Sequence, residues 1–103
     1  MIVAVTMFRL DSGRTLDDYE RFSREIIGPG MLELPSVLAF RDGTARCQMG
    51  GEPAVWDGLE VIEISSPEEF EADHEVAPGK DVAARWMDWI DTFEVTYFEM
   101  IHG

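Results

Sequence analysis

The sequence predicts an α+β fold, in which two helices cover one face of a four-stranded antiparallel sheet. Three observations lead to this prediction. The chain has 103 residues, the size of one compact domain, so residues 1–103 are treated as a single unit. Its apolar fraction of 46% is large enough to build a hydrophobic core. Along the chain, segments with strand or helix character follow one another in the order β, α, β, β, α, β.

The first half of the chain is predicted to form a strand, a helix and a strand. Residues 2–10 are apolar at all but two positions and rich in β-branched side chains, which favours a strand. Thr15 follows as the candidate N-cap of an amphipathic helix that runs to residue 27. We expect residues 28–30 (Gly-Pro-Gly) to end this helix, because proline lacks an amide proton and glycine accepts left-handed angles. Residues 37–41 form the second predicted strand.

The second half is predicted to form a strand, a helix and a strand again. Ser66, Pro67 and Glu69 are a strong helix-start pattern, since serine can cap, proline suits the first helical position and glutamate completes the capping box. Pro78 and Gly79 are expected to interrupt that helix. The predicted bounds are residues 56–64 for the third strand, 66–76 and 81–90 for the two parts of the second helix, and 93–101 for the last strand. This order of elements is that of a ferredoxin-like sandwich.

The composition excludes several classes of function. Acidic residues outnumber basic residues by 21 to 8, and the net charge of -13 repels nucleic acid and anionic membrane surfaces. Cys47 is the single cysteine, so an intramolecular disulfide and a thiolate zinc cluster within one chain are excluded. The sequence has no apolar stretch near the ~20 residues that span a bilayer and no secretory leader pattern, which predicts a cytoplasmic protein.

The first strand is apolar on both faces, which predicts a homodimer. Two helices can cover only one face of the sheet, and an exposed apolar face is an interaction site or an aggregation hazard. A second copy, packed sheet against sheet, would bury it. The alternative is a modestly apolar face that stays partly exposed. The two faces consist of Ile2, Ala4, Thr6, Phe8 and Leu10 on one side and Val3, Val5, Met7 and Arg9 on the other.

Four segments carry a resemblance to a known superfamily. They are IVAVTMFRL in the first strand, TLDDYERF at the start of the first helix, SSPEEFEADHEVAP after the third strand and FEVTYFEMI near the end. With this element order, the whole chain resembles the dimeric α/β-barrel superfamily, small proteins whose two sheets close into a barrel. Within that superfamily, the chain is similar to the REDY-like HapK family, which is associated with bacterial synthesis of prodigiosin-type pigments.

The resemblance implies a pocket between each sheet and its own helices. The superfamily includes cofactor-free monooxygenases, polyketide cyclases, decarboxylases and haem-degrading enzymes, so it indicates where the pocket lies better than which reaction occurs there. The monooxygenases use an asparagine with a tryptophan, and this chain contains no asparagine. A haem ligand would have to be His74, and Asp73, His74 and Glu75 point in different directions around a helix. No metal or cofactor is therefore expected.

His74 and Tyr19 are the candidate catalytic residues. His74 lies four residues after Phe70, on the inward stripe of the second helix, and histidine titrates near neutral pH, which suits general acid or base catalysis. Tyr19 lies on the buried face of the first helix, where its hydroxyl could orient a ligand carbonyl or donate a proton beside His74. A tyrosine and histidine pair of this kind resembles the cyclases of the superfamily. The plainer alternatives are a helix-end histidine bonded to backbone and a core tyrosine.

A second group of residues is expected to bind the ligand. Aromatic side chains provide flat apolar surfaces for an aromatic molecule, although aromatic residues at helical spacing more often form core. Arg9 is the one cation of the first strand and could hold a carboxylate or carbonyl, unless it pairs with Glu94 or Glu60 across the sheet. The candidate ligand-binding residues are Arg9, Phe8, Phe40, Trp56, Trp86 and Phe98.

The sequence therefore predicts a cytoplasmic homodimer that binds a small, largely apolar aromatic metabolite of pyrrole or polyketide type. Such a protein would act as a carrier or accessory protein of pigment or secondary-metabolite biosynthesis. One alternative is a cofactor-free cyclase or isomerase, in which His74 removes a proton and Tyr19 or Arg9 stabilises the resulting enolate. Another is a structural subunit of a larger biosynthetic enzyme.

Overall fold

The structure is a computed structural model that describes residues 1–103. In chain order its elements are β1 (Ile2–Leu10), α1 (Leu16–Phe22), a π-helical segment (Ser23–Ile27), α2 (Gly28–Leu32), β2 (Val37–Thr44), β3 (Gly58–Ile64), α3 (Pro67–Asp73), α4 (Gly79–Met87) and β4 (Ile90–Glu99). The strands lie side by side in the order β2-β3-β1-β4, and every neighbouring pair is antiparallel. The predicted α+β, ferredoxin-like fold and its element order are confirmed. None of the helices is long and apolar enough to cross a lipid bilayer.

The first helix does not end at the Gly-Pro-Gly segment, so this part of the prediction is wrong. α1, the π-helical segment and α2 form one continuous helical stretch. The Gly28 amide donates to the Ser23 carbonyl, and beyond this wider turn Pro29 stands in the first turn of α2, where a missing amide proton costs little. Gly30 instead serves helix packing, because a Cβ atom added there would lie 2.8 Å from the Val82 side chain of α4.

The predicted helix starts are confirmed by their caps. The Thr15 hydroxyl accepts a hydrogen bond from the Asp18 amide at 3.1 Å, and the Ser66 hydroxyl accepts one from the Glu69 amide at 3.1 Å. Each hydroxyl satisfies an amide that has no partner inside its own helix. The start signals in the sequence therefore act as expected.

The bounds of several elements need correction. β2 reaches residue 44 and not 41, β3 begins at 58 and not 56, α3 ends at 73 and not 76, α4 spans 79–87 and not 81–90, and β4 spans 90–99 and not 93–101. Strand pairing sets some of these ends: β2 pairs with β3 as far as Thr44 opposite Gly58, and β4 pairs with β1 from Ile90 opposite Leu10. The residues with which a strand pairs cannot be predicted from the sequence of that strand alone.

The core lies between the inner face of the sheet and the helices. Phe8 of β1 is fully buried, and its ring centroid lies 5.0 Å from that of Tyr19 in α1 and 5.5 Å from that of Trp86 in α4. Contacts at these distances are favourable for aromatic pairs beyond the area that they bury. This cluster attaches both helical regions to the centre of the sheet.

The outer face of the sheet has no second layer. Val5 and Met7 of β1 lie on this face, opposite Val61 and Leu59 of β3, and Phe98 of β4 lies on the same face opposite Val3. Phe98 is 48% exposed. Both faces of β1 are therefore apolar, as the sequence predicts.

Gly58 is expected to be intolerant of a side chain. It lies opposite Phe8 in the sheet, and a Cβ atom at this position would overlap the Phe8 ring. Gly58→Ala should lower the free energy of unfolding by roughly 1–3 kcal/mol, because the buried ring has no space into which it can move. Urea unfolding followed by fluorescence measures this loss.

Gly43→Ala is the matched control. A Cβ atom at Gly43, on the neighbouring strand, would meet only the Leu59 side chain at an ordinary 3.7 Å. The control should therefore unfold close to wild type. Equal unfolding midpoints for the two variants would contradict the role assigned to Gly58.

Candidate functional site

A cavity of about 280 Å³ lies between the inner face of the sheet and the helices. This volume is just below the range for small-molecule sites, which is roughly 300–1,000 Å³. Most of its walls are apolar, and a few polar groups face it. It is lined by Thr6, Ile27, Met31, Glu60, Ile62, Phe70, Glu71, His74, Val82, Ala83, Trp86, Met87, Phe93, Val95 and Tyr97.

The cavity exists because the helices cover only part of the sheet. α4 approaches α2 closely through Val82 and Gly30, and Trp86 leans against Phe8 at the sheet centre. The inner side chains of the edge strand β4 remain beyond this contact. Phe93 is 43% exposed and Val95 is 41% exposed, so they form a wall of the cavity and not part of the core.

Glu60 is a buried carboxyl at the floor of the cavity. It lies on the inner face of β3, opposite Thr6 of β1 and Asp42 of β2, and only 6% of its surface is exposed. Burial raises the pKa of Glu60 to about 8, the Asp42 carboxylate adds to the rise, and hydrogen bonding by Thr6 opposes it. At neutral pH this side chain therefore keeps its proton and can both donate and accept a hydrogen bond.

His74 lies at the end of α3 and faces the same cavity. Its Nδ1 atom is 2.7 Å from the carbonyl oxygen of Phe70, and its ring packs edge-on against the Phe70 ring. A carbonyl oxygen can only accept, so Nδ1 carries a proton in this contact, and in the neutral form of the ring Nε2 is the unprotonated nitrogen. The Nε2 lone pair is then available to act as a base or a hydrogen-bond acceptor.

Tyr97 and Glu71 form a hydrogen-bonded pair at the cavity wall. The Tyr97 hydroxyl donates to Glu71 Oε2 at 2.8 Å. Burial raises the pKa of Tyr97 to about 12, and the hydrogen bond to Glu71 and the charges of Glu71 and Glu68 contribute further. This phenol therefore stays protonated, and its hydrogen bond holds the Glu71 carboxylate in place on the cavity wall.

Tyr19 is a core residue and does not line this cavity. Its side chain is 1% exposed, and its hydroxyl accepts a hydrogen bond from Trp86 Nε1 at 2.9 Å. Burial, followed by the charge of Glu60, raises the pKa of Tyr19 well above its usual value. The structure thus separates Tyr19 from His74, and the predicted tyrosine and histidine pair does not meet at one site.

A second, polar cleft lies on the far side of Tyr19. Its walls include Glu20, Ser23, Asp42 and Thr44, together with Arg24 and Arg46. The Ser23 hydroxyl donates to the Asp42 carboxylate, and the Thr44 hydroxyl donates to the Glu20 carboxylate. Four of the polar groups in this cleft are thus hydrogen-bonded in pairs. No three histidine, cysteine or carboxylate side chains converge closely enough to hold a metal ion.

Most of the predicted ligand-binding residues lie away from the cavity. Trp86 lines it, whereas Phe8 and Phe40 do not. Phe98 lies on the outer face of the sheet. Arg9 is exposed and opposite Thr92; its Nε donates to the Val55 carbonyl at 2.9 Å, and its guanidinium lies over the Trp56 ring at 5.3 Å. Arg9 therefore pairs with neither Glu94 nor Glu60 and cannot hold a ligand in this cavity.

Sequence reasoning missed four polar residues of the cavity: Thr6, Glu60, Glu71 and Tyr97. A signal for Glu60 exists, because the third strand alternates and places this acid at an inward position between Gly58 and Ile62. Its meaning depends on the register that sets Glu60 between Thr6 and Asp42. That register is known only from the folded sheet.

The chain matches a protein family over nearly its whole length. The family described as REDY-like protein HapK covers residues 2–101. No curated protein matches the sequence. The family match includes every residue that lines the cavity.

Several solved structures share the fold. HapK from Hahella chejuensis has a TM-score of 0.81 at 22% sequence identity, covering 100% of this chain and 95% of that one. A mutant of SnoaB, a cofactor-independent oxygenase from Streptomyces nogalater, has a TM-score of 0.70 at 12% identity, with 99% and 94% covered. A dimeric ferredoxin-like protein of unknown function from Thermobifida fusca has a TM-score of 0.65 at 16% identity, with 96% and 90% covered.

Replacement of Glu60 by glutamine is expected to change how stability depends on pH. The pKa of Glu60 rises from its ordinary 4.5 to about 8 on folding. Between these values the folded chain holds a proton that the unfolded chain has released, so the free energy of unfolding falls as the pH rises, by up to about 1.4 kcal/mol per pH unit. Glutamine does not titrate, and Glu60→Gln should lose this contribution to the slope.

Urea unfolding at several pH values between the two pKa values measures the slope. Glu63→Gln, on the opposite face of the same strand, is the matched control and should keep the wild-type dependence. Parallel profiles for wild type and Glu60→Gln would contradict the protonated state assigned to Glu60.

Proposed function

We propose, from the premise that this chain belongs to the REDY-like HapK family, that it is an accessory protein that binds a small, largely apolar aromatic molecule. The binding site is the cavity between the sheet and the helices. The ligand is of pyrrole or polyketide type, and the protein serves pigment or other secondary-metabolite biosynthesis. The predicted cytoplasmic location is part of this proposal.

The observation that carries the proposal is the character of the cavity walls. Eleven of the fifteen lining residues are hydrophobic. Phe70, Trp86, Phe93 and Tyr97 supply aromatic surfaces from three different elements or their ends. An aromatic ligand would gain apolar burial from these rings, and the few polar groups would fix its orientation.

A cofactor-free cyclase or isomerase is the second candidate function, and the orientation of His74 supports it. With Nδ1 bonded to the Phe70 carbonyl, Nε2 is the nitrogen that can remove a proton from a molecule in the cavity. Because Tyr19 and Arg9 lie outside the cavity, neither can stabilise an enolate there. The enolate stabilisation by Tyr19 or Arg9 that the sequence suggests therefore loses support.

His74→Ala separates the two candidates in an assay of turnover and binding. An enzyme that uses His74 as its base should lose most of its turnover, by roughly 10²–10⁴-fold. A carrier should bind its ligand with only modestly changed affinity. Unchanged turnover by the variant would contradict the enzymatic candidate.

We further propose that the protein is a homodimer formed through the outer face of the sheet. On this face Val5 and Met7 are only partly buried, Leu59 and Phe98 are exposed, and a two-fold partner would offer the same apolar surface in return. The similar protein from Thermobifida fusca is described as dimeric. A dimer of this kind leaves the cavity on the opposite face of each sheet.

Filling the cavity should abolish binding. Ala83 of α4 lines the cavity, and Ala83→Phe would place a ring where the ligand lies. We expect the affinity of the Ala83→Phe variant for 1-naphthylmethanol, a small neutral aromatic probe, to fall at least about tenfold. A tenfold loss of affinity corresponds to ~1.4 kcal/mol of binding free energy. Isothermal titration calorimetry measures the affinity.

Ala84→Phe is the matched control. Ala84 is the next residue of α4, is exposed and does not line the cavity. The control should bind the probe like wild type, and circular dichroism should show that both variants are folded. Equal affinities for the two variants would contradict the assignment of this cavity as the binding site.

A further inference from the structure

We propose that the cavity selects a base: a flat, apolar molecule with a nitrogen that is positively charged when bound and is paired with the carboxylate of Glu60. This inference rests on the proposed function, because it takes the cavity to be a ligand site. It narrows the ligand to molecules that carry a basic nitrogen, which a plain pyrrole ring or a polyketide does not supply, and it names the residue that recognises that nitrogen.

The position of Glu60 is the first support. Its side chain is 6% exposed, and it lies on the floor of a cavity whose walls are mostly apolar. The neighbouring inward positions on the same strand are Gly58 and Ile62, which carry no charge. A buried carboxyl group at the base of a mostly apolar cavity gives a polar anchor point to a ligand that otherwise contacts mainly hydrocarbon.

The distribution of charge around the cavity is the second support. Its lining contains two carboxyl groups, Glu60 and Glu71, and neither lysine nor arginine. His74 is the one lining residue that can become positively charged. The nearby Arg24 and Arg46 lie in the separate polar cleft. A ligand carboxylate, phosphate or enolate would find no strong positive partner here, whereas a ligand cation would find a negative one.

The groups around Glu60 also favour a positively charged ligand. Asp42 on β2 lies beside it in the sheet and adds negative charge, and the Tyr19 phenol on α1 stays neutral. The cavity lining also includes Glu71 from α3, His74 at the end of that helix and Tyr97 from β4. His74 and Glu71 carry opposite charges when both are ionised, so the local balance remains negative once Glu60 loses its proton.

The ion pair with Glu60 can form by two routes, which differ in where the proton of Glu60 goes. When the ligand arrives as a neutral base, the O–H bond of Glu60 breaks, an N–H bond forms on the ligand, and the pair stays in the cavity. When it arrives already protonated, Glu60 releases its proton to the solvent and becomes the counter-ion. Because the pKa of unliganded Glu60 is about 8, the second route releases a proton at any pH below that value.

Three matched probes test the inference by calorimetry: 1-naphthylmethylamine, 1-naphthylmethanol and 1-naphthoate. They share one aromatic ring system and differ in charge. We expect the amine to bind wild type at least about tenfold more tightly than the alcohol at pH 8, since charge-assisted hydrogen bonds are roughly twice as strong as neutral ones. We expect the carboxylate to bind most weakly of the three.

The pH dependence and proton release identify Glu60 as the group responsible. From pH 6 to pH 8 the affinity for the amine should rise well over tenfold, and heats measured in two buffers should show release of about one proton below pH 8. Glu60→Gln should lose the preference for the amine and the proton release, and should still bind the alcohol. It retains His74, so any difference from wild type reports Glu60 alone.

Glu63→Gln is the control for loss of one negative charge, because Glu63 lies on the opposite face of the same strand and does not line the cavity. It should keep most of the preference for the amine. If the alcohol or the carboxylate binds wild type as tightly as the amine, or if Glu60→Gln keeps the preference, the inference is overturned while the cavity remains a ligand site. If none of the three probes binds wild type, the proposed function itself fails.

Discussion

The sheet carries apolar side chains on both faces, and the helices of one chain cover it incompletely. On the inner face, Phe8, Tyr19 and Trp86 attach the helices to the sheet centre. α3 and α4 have seven and nine residues, or about 11 and 14 Å at 1.5 Å per residue, and they leave the inner side chains of β4 only partly covered. A cavity results on that side. On the outer face Leu59 and Phe98 remain exposed, which leaves an apolar surface suited to a second copy.

The carboxyl of Glu60 is the feature of the cavity that packing does not explain. An ionised carboxylate at a site this buried costs several kcal/mol unless it is paired, so the folded chain holds the proton instead. An apolar residue at the same position would fill the floor and avoid the cost altogether. A residue that breaks a local rule of stability without a visible structural gain is typical of a functional site. The energetic cost of burying Glu60 is therefore consistent with the proposed role of this residue in pairing with a ligand cation.

The sequence predicts the fold well because its main signals are local. The β-branched first strand, the Thr15 cap and the Ser66-Pro67 start each depend on neighbours within a few residues. The Gly-Pro-Gly segment misleads because its effect depends on Val82, a residue from another helix that packs against it. The site is less predictable for the same reason. His74 and Trp86 are recognisable from residue type and helical spacing. The role of Glu60 instead depends on the residues opposite it on the two neighbouring strands. Arg9 and Phe98 face outward, and the sequence does not reveal this because both faces of the sheet are apolar.

Sedimentation equilibrium at micromolar concentration tests this account most directly, because it asks whether one chain can satisfy both faces of its sheet. The account predicts a mass of two chains, each of 11.7 kDa, with no appreciable single-chain species. A folded, stable single chain at that concentration would contradict it, since the outer face would then need no partner.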